Sequence, residues 1–304
     1  MKPPAAVLCA LLCSILLAGV ALAATDLSGH RGEAGLSVVV GPVPGVRFTR
    51  LAAAADDLYV IDAAGQRVRR YILHGQPAAQ LFAEVLRWKE GADKIVIGQP
   101  VDMVMRGDRL LILDSLDSLW SYAGSTYQKG IVPLRVESDQ GTLAGLAIHG
   151  TDLLVLDATH GAIWRYRPDA AGSYDDVPVR LGLPPSTVRP ALIAIAAGRR
   201  AFFELKRDGS LLAIPWQHPE AARHLTLSSA IRAFWGDDLH DGILVALDGQ
   251  VVALTLQGTV TWRQSFQLPR GEAANGLAVS PRGVVYLLTP NNILRLAKRA
   301  PAHF

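Results

Sequence analysis

The chain has 304 residues, of which half are hydrophobic, and a formal net charge of +3. This apolar content is enough for a large core and excludes a mainly disordered chain. Basic and acidic residues are interspersed without a dense Lys/Arg run, so the charge pattern excludes an electrostatic nucleic-acid-binding protein.

The N-terminal residues have the pattern of a secretory signal peptide. Lys2 supplies its positive charge, an apolar run extends over Ala5–Ala23, and small residues before Ala24 form a cleavage site. We expect a signal peptide over residues 1–24 and a flexible lead over 25–35. The alternative is an uncleaved anchor, because the run is close to the length of a membrane span. No later segment is predicted to cross a membrane, so we expect a bacterial periplasmic or secreted protein.

Both cysteines, Cys9 and Cys13, fall inside this predicted signal. The mature domain would then contain no disulfide, no thiol nucleophile and no thiolate metal ligand.

The mature sequence repeats a strand–turn–strand unit, most clearly in Asp152–Tyr166 (DLLVLDATHGAIWRY). Leu153–Leu156 is a continuous apolar run of strand length, which indicates a strand covered on both faces. Asp157–Gly161 is rich in turn-forming residues, and Ile163–Tyr166 contains aromatic and branched residues that favour strands. We find this unit in six copies, at Leu58–Tyr71, Leu110–Tyr122, Leu153–Tyr166, Ala201–Ile214, Ile243–Leu254 and Val284–Leu296.

The copies begin 41 to 52 residues apart, which is typical of four-stranded propeller blades. Outer strands are predicted less securely, at Gln80–Leu86, Ile131–Val136, Val177–Leu181, His224–Leu227 and Val260–Phe266. The sixth copy has no outer strand after it, whereas Leu36–Val40 is a strand without a hairpin partner. We therefore predict an all-β, six-bladed β-propeller over 36–298, closed by this N-terminal strand in the last blade, with a tail over 299–304. Five or seven blades remain open, because the fourth and fifth copies are degraded.

Two copies carry a recognisable pattern of Gly-Leu-Ala-Val/Ile, a polar turn and an apolar hairpin. They are Gly145–Ile148 with Leu153–Tyr166, and Gly276–Val279 with Val284–Leu296. The pattern resembles that of NHL-repeat propellers, within the superfamily that includes streptogramin-lyase-like and gluconolactonase-like propellers. The resemblance implies the fold but no single activity, because this scaffold hosts lyases, lactonases and binding modules.

Asp62, Asp114 and Asp157 recur at the end of the second strand of a unit. We predict that they accept hydrogen bonds from the following turn rather than form a cation-binding ring. Trp120 and Trp164 share one register in neighbouring units, and we predict that they pack between blades.

Candidate functional residues are expected at the mouth of the central channel, on loops leading into first strands and on hairpin turns. The segment Leu86–Pro100 departs most from the repeat and places Trp88 among charges, which suits a partner interface. Its alternative is an extended outer strand with a solvated tip. The predicted binding residues are Trp88, Lys89, Glu90, Asp93, Lys94, Asp102, Glu137, His160, Arg189, Arg232 and Asn275.

No coherent catalytic set accompanies these residues, and no catalytic residue is assigned. Asp102 and Asn275 could serve as oxygen ligands of calcium, but Arg189 and Arg232 would repel the cation. His149 and His160 lie at opposite ends of one predicted unit, so they do not form a zinc pair.

The sequence therefore favours an exported, non-catalytic propeller that binds a protein, peptide or envelope component. We expect a monomer without a cofactor. The alternative is a metal-assisted hydrolase or lyase of the lactonase or streptogramin-lyase-like class, and calcium is expected only in that case.

Overall fold

The computed structural model describes residues 35–73, 79–87, 98–123, 126–133, 141–170, 172–174, 177–181, 192–227 and 229–304. For 82–87, 123 and 126–133 only the backbone is described. The predicted signal peptide and all but the last residue of the lead lie outside these ranges. Within them the chain forms strands and one 3₁₀ turn at Pro219–Ala221. No helix in the described part is long and apolar enough to cross a membrane.

The strands form six four-stranded antiparallel sheets, the blades of a six-bladed β-propeller. An initial strand, β1 (Leu36–Val40), precedes the blades. Blade 1 contains β2 (Phe48–Ala53), β3 (Asp57–Asp62), β4 (Arg67–Ile72) and β5 (Gln80–Arg87). Blade 2 contains β6 (Pro100–Arg106), β7 (Arg109–Asp114), β8 (Ser118–Ala123) and β9 (Thr126–Pro133). Blade 3 contains β10 (Leu143–His149), β11 (Asp152–Asp157), β12 (Ala162–Tyr166) and β13 (Val179–Arg180).

The remaining blades follow the same order from the innermost strand outward. Blade 4 contains β14 (Leu192–Ala197), β15 (Ala201–Lys206), β16 (Leu211–Pro215) and β17 (Arg223–Leu225). Blade 5 contains β18 (Ala233–Trp235), β19 (Ile243–Leu247), β20 (Gln250–Leu254) and β21 (Val260–Ser265). Blade 6 contains β22 (Gly276–Val279), β23 (Val285–Leu288) and β24 (Ile293–Leu296), with β1 as its outer strand.

The ring is closed by β1, as predicted. This strand pairs antiparallel with β24, so that Leu36 lies opposite Leu296 and Val38 opposite Leu294. Val39 and Val40 are buried in the apolar cluster between blades 6 and 1. Closure by both ends of the domain removes the open sheet edge that a final three-stranded blade would present.

The continuous apolar runs of the second strands serve two junctions at once. In β11, Leu153 and Val155 pack in the cluster between blades 2 and 3, whereas Leu154 and Leu156 pack in the cluster between blades 3 and 4. All four are fully buried. Since successive side chains of a strand point to opposite faces, a strand between two neighbouring blades must be apolar throughout.

The outer strands differ most from their predictions. The outer strand of blade 2, β9 (Thr126–Pro133), begins five residues before the predicted Ile131–Val136, of which 134–136 lie outside the described residues. In blade 3 only Val179 and Arg180 form the outer strand. Outer strands are solvated on one edge and need no continuous apolar run, so their sequence signal is weak.

The innermost strands of blades 1 to 4 each contain a β-bulge near their start, a feature that we did not predict. The pairing register shifts between Phe48 and Arg50 in β2 and between Pro100 and Asp102 in β6. Equivalent shifts occur in β10 and β14. A bulge redirects the side chains around it, so it decides which residues face the mouth of the channel.

Candidate functional site

The face on which the innermost strands begin, here called the upper face, also carries the turns between second and third strands. The opposite face is called the lower face. Four of the predicted binding residues are described, and all four lie on the upper face: Asp102, His160, Arg232 and Asn275. The other predicted residues lie outside the described residues: Trp88, Lys89, Glu90, Asp93, Lys94, Glu137 and Arg189.

The recurring strand-end aspartates belong to the scaffold. Asp62, Asp114 and Asp157 are all 0% exposed. Asp114 accepts hydrogen bonds of 2.8–2.9 Å from four groups, the backbone N–H of Gly98, Leu116 and Ser118 and the indole of Trp120. A carboxylate that ties the incoming loop to the hairpin turn satisfies donors that burial would otherwise leave unpaired. The prediction of a structural role is therefore confirmed.

Trp120 and Trp164 are buried in the interblade clusters, as predicted. They have a second role that the sequence analysis missed, because their indole nitrogens donate to Asp114 and Asp157, at 2.8 and 3.5 Å. In blade 1 the same register carries Arg69, whose Nε donates to Asp62 at 3.0 Å. The repeated position thus requires a donor of sufficient reach, and either an indole or a guanidinium supplies it.

His160 is the least repeated residue of its hairpin turn, and it is bound to the scaffold. Its Nδ1 lies 2.8 Å from Oδ2 of Asp157, and its backbone N–H donates to Oδ1 at 3.0 Å. Burial by itself raises the pKa of Asp157, but hydrogen bonds from Gly141, from the His160 ring and from the Trp164 indole outweigh it and hold that pKa below its usual value. The imidazole is half exposed at the rim of the upper face.

Asp102 joins three innermost strands. Its Oδ1 lies 3.2 Å from Nε of Arg50 on β2, and its Oδ2 accepts a 2.8 Å hydrogen bond from the backbone N–H of Leu146 on β10. Burial raises the pKa of Asp102, and the Arg50 guanidinium and the Leu146 N–H only partly oppose that effect. Arg50 was not among the predicted site residues. Its signal was the shared register, since Arg50 and Asp102 both follow the bulge of their strands.

Asn275 lies on the other side of blade 1. Its side-chain amide donates to the carbonyl of Phe48 at 2.9 Å, and its own N–H donates to Leu288 at 2.8 Å. Its Oδ1 is buried without a hydrogen-bond partner in the described structure. Asn275 and Asp102 therefore flank the same blade but engage different partners.

This arrangement does not fit the calcium site considered from the sequence. Both oxygens of Asp102 face protein donors, and one of these is a guanidinium whose charge would repel a cation. Among the described residues no three His, Cys, Asp or Glu side chains form a metal-binding group.

The side-chain contacts at the rim of the upper face differ between blades 6, 1, 2 and 3 and blades 4 and 5. Side-chain contacts to neighbouring innermost strands join blades 6, 1, 2 and 3 through Asn275, Arg50 and Asp102. On blade 4, the bulge residue Ile193 is 45% exposed. On blade 5, Arg232 forms an exposed bidentate ion pair with Asp248, with Nε–Oδ1 and Nη2–Oδ2 distances of 2.7 and 3.1 Å. Blades 4 and 5 thus offer an exposed apolar residue and a charged pair.

Comparison with solved structures supports the fold. The streptogramin B lyase structure matches with a TM-score of 0.57 at 10% identity, covering 86% of this chain and 96% of that one. The WD40 propeller domain of Doa1 matches with a TM-score of 0.56 at 10% identity, covering 86% and 96%. Apo AztD from Citrobacter koseri gives 0.54 at 13% identity, covering 84% and 88%. At these identities the likeness shows a shared propeller fold, and the NHL assignment stays a prediction. No known protein family and no curated protein matches the sequence.

Proposed function

We propose that this protein is an exported, non-catalytic propeller that binds a protein, peptide or envelope component through its upper face. The observation that carries the proposal is the division of the rim. The described acidic groups and the histidine that we considered there are held by scaffold donors, whereas Ile193 on blade 4 and the pair of Arg232 and Asp248 on blade 5 are exposed.

The chemistry of the exposed groups on blades 4 and 5 suits association better than catalysis. A general base needs a lone pair directed at its substrate, but Asp157 and Asp102 direct theirs at backbone N–H groups and at His160 or Arg50. An exposed apolar side chain and a charged pair on neighbouring blades are groups of the kind found at the centre and at the rim of a protein interface. Trp88, Glu137 and Arg189, which lie outside the described residues, remain predicted binding residues from the sequence. The proposal requires no cofactor and no second copy of the chain.

Site-directed crosslinking tests this proposal. A photo-crosslinking residue at position 193 should capture one reproducible species from an envelope extract. The same residue at position 177 should not, because Val177, which is 56% exposed, precedes the outer strand of blade 3 rather than the rim. Adding Arg232→Ala to the position-193 variant should reduce capture at least about fivefold, since rim charges mainly govern encounter. Equal capture at positions 193 and 177 would refute the upper-face site.

The second candidate function is a hydrolase or lyase, and the raised pKa of Asp102 favours it. A carboxyl group whose pKa is raised by burial can exchange a proton nearer neutral pH than an exposed one. In this case Asp102→Asn should lower turnover of a lactone or a streptogramin about 100-fold or more. Asp108→Asn, at an exposed lower-face turn, is the matched control. Absence of turnover by the wild-type protein, with and without calcium, would remove this candidate.

A further inference from the structure

The lower face carries a loop that reaches beyond its own blade. This loop, residues 236–242 between β18 and β19 of blade 5, is called the strap. Oδ2 of Asp238 accepts a 2.9 Å hydrogen bond from the backbone N–H of Gly150 in blade 3. The strap therefore extends past blade 4 to the turn between β10 and β11.

The strap also contacts blade 4. The carbonyl of His240 accepts a 2.7 Å hydrogen bond from the backbone N–H of Arg199. The carboxylate of Asp241 receives Nε and Nη2 of Arg199 at 2.8 and 3.0 Å, and Nε of Arg200 lies 3.4 Å away. Both arginines are more than half exposed. Exposed ion pairs of this kind contribute little to stability, so these contacts alone do not explain a fixed loop.

A buried contact holds the strap at its other side. The ring of Phe304 stacks on the ring of His240, with centroids 4.2 Å apart and an interplanar angle of 17°. The carbonyl of Phe304 accepts a 2.8 Å hydrogen bond from the backbone N–H of Gly242. Phe304 is only 7% exposed and belongs to the apolar cluster between blades 5 and 6. The histidine is further fixed by Asp237, whose Oδ1 lies 2.6 Å from Nδ1.

Glycines at both ends of the strap permit this close packing. A side chain at Gly242 would collide with the carbonyl of Leu254, and one at Gly236 would lie 2.8 Å from the carbonyl oxygen of Ala197. The strap is thus pressed against blades 4 and 5 at its ends, and its middle depends on the contacts of Asp238 and His240.

The strap lies beside an aromatic stack on blades 3 and 4. The ring of His149, the residue before Gly150, lies 4.2 Å from the ring of Trp216. The indole of Trp216 donates to the carbonyl of Gly198, and a side chain at Gly198 would lie 3.2 Å from the carbonyl oxygen of His240. The strap therefore contacts the residues next to both members of the stack.

We propose that Phe304 is a latch for the strap, and that its release frees the strap from blades 3 and 4 as one unit. Burial between blades 5 and 6 fixes Phe304, and the stacking of its ring on His240 holds the strap to that fixed point, whereas the exposed ion pairs contribute little. Displacement of Phe304 would lift the strap from Gly150 and Arg199, which lie next to the stack of His149 and Trp216. The lower face then has two states. The strap is held while Phe304 is in its buried position, and it is free once Phe304 has left that position.

Hydrogen exchange followed by NMR tests the latch in the full chain. In Phe304→Ala, the amides of Gly242, Arg199 and Gly150 should all exchange at least about tenfold faster than in the wild type, because they open together. The amide of Val155, in the fully buried strand β11, should be unchanged. His303→Ala is the matched control, because His303 is exposed beside Phe304 and should alter none of these rates.

Two results would overturn the proposal. Faster exchange at Gly242 alone would show that the strap does not move as a unit. Faster exchange at Val155 as well would show that Phe304 stabilises the whole fold rather than the strap.

If Phe304→Ala does not fold, Phe304→Leu decides the matter. Leucine keeps the apolar burial but loses the ring stack, so the amides of Arg199 and Gly150 should exchange several-fold faster, and unchanged rates would refute the latch.

Discussion

At the scale of the residue, one register position explains much of the upper face. The strand-end group is a buried acceptor in blades 1, 2 and 3, where it is an aspartate. In blade 6 the residue after β23 is Thr289, whose Oγ1 accepts from the backbone N–H of Asn292 at 2.9 Å. Each acceptor closes a hairpin turn whose donors are removed from water, which is why a polar side chain recurs at a buried position.

The pKa of Asp157 predicts how stability depends on pH. Because its pKa is lowered in the folded state, the charged carboxylate contributes stability above the pKa of the unfolded chain, near about pH 4, and loses it as the pH falls through the folded value. The unfolding free energy should therefore decline on acidification, and Asp157→Asn should show a shallower decline. Urea unfolding between pH 2 and pH 7 measures both slopes. Parallel curves for the two proteins would contradict the assigned role.

At the scale of the element, the closing strand β1 shows that the contribution of a side chain to stability depends on the face of the strand to which it points. Val39 is buried between blades 6 and 1, whereas the adjacent Val38 points to solvent and is 39% exposed. Backbone pairing with β24 holds the strand in the ring, and the buried face of the strand provides the apolar contacts.

A pair of substitutions separates these contributions. Val39→Asp should lower the free energy of unfolding by about 3 kcal/mol or more, because it places a charge in an apolar cluster. Val38→Asp should change it by no more than about 0.5 kcal/mol, since that side chain is already in water. Thermal and urea denaturation of both variants measure the difference. Equal effects of the two would mean that β1 does not pack in the ring.

At the scale of the whole molecule, polar groups as well as apolar clusters join the blades. Within blade 1, Nη2 of the buried Arg70 contacts Asp57 at 2.9 Å, and Nη1 of the same arginine lies 3.4 Å from the hydroxyl of Tyr122 in blade 2. Between blades 6 and 1, Arg282 and Asp56 form an exposed bidentate ion pair, with Nη1–Oδ1 and Nη2–Oδ2 distances of 2.8 and 3.1 Å. In both cases an arginine meets an aspartate, but the first pair is largely buried and the second is exposed.

We expect solvation to decide their contributions. Arg70→Ala should destabilise the protein by about 3 kcal/mol, because it leaves a largely buried carboxylate without its guanidinium. Arg282→Ala should lower the free energy of unfolding by less than about 1 kcal/mol, since both members of the Arg282–Asp56 pair are exposed. Urea unfolding of each variant at the same pH tests this order. A larger loss for Arg282→Ala would reverse the argument.

The sequence by itself predicted six blades, with five or seven left open, together with the closing strand and the structural role of the strand-end aspartates. These features repeat, and each follows from local chemistry: apolar runs covered on two sides, polar turns and a period of one blade. Tertiary structure alone decided which charges meet. Arg50, Asp102 and Leu146 come from three different blades, and a bulge of one residue sets the direction of the first two. The docking of Phe304 on the strap was likewise decided by the tertiary structure, because it joins residues that are distant in the sequence and share no repeated pattern.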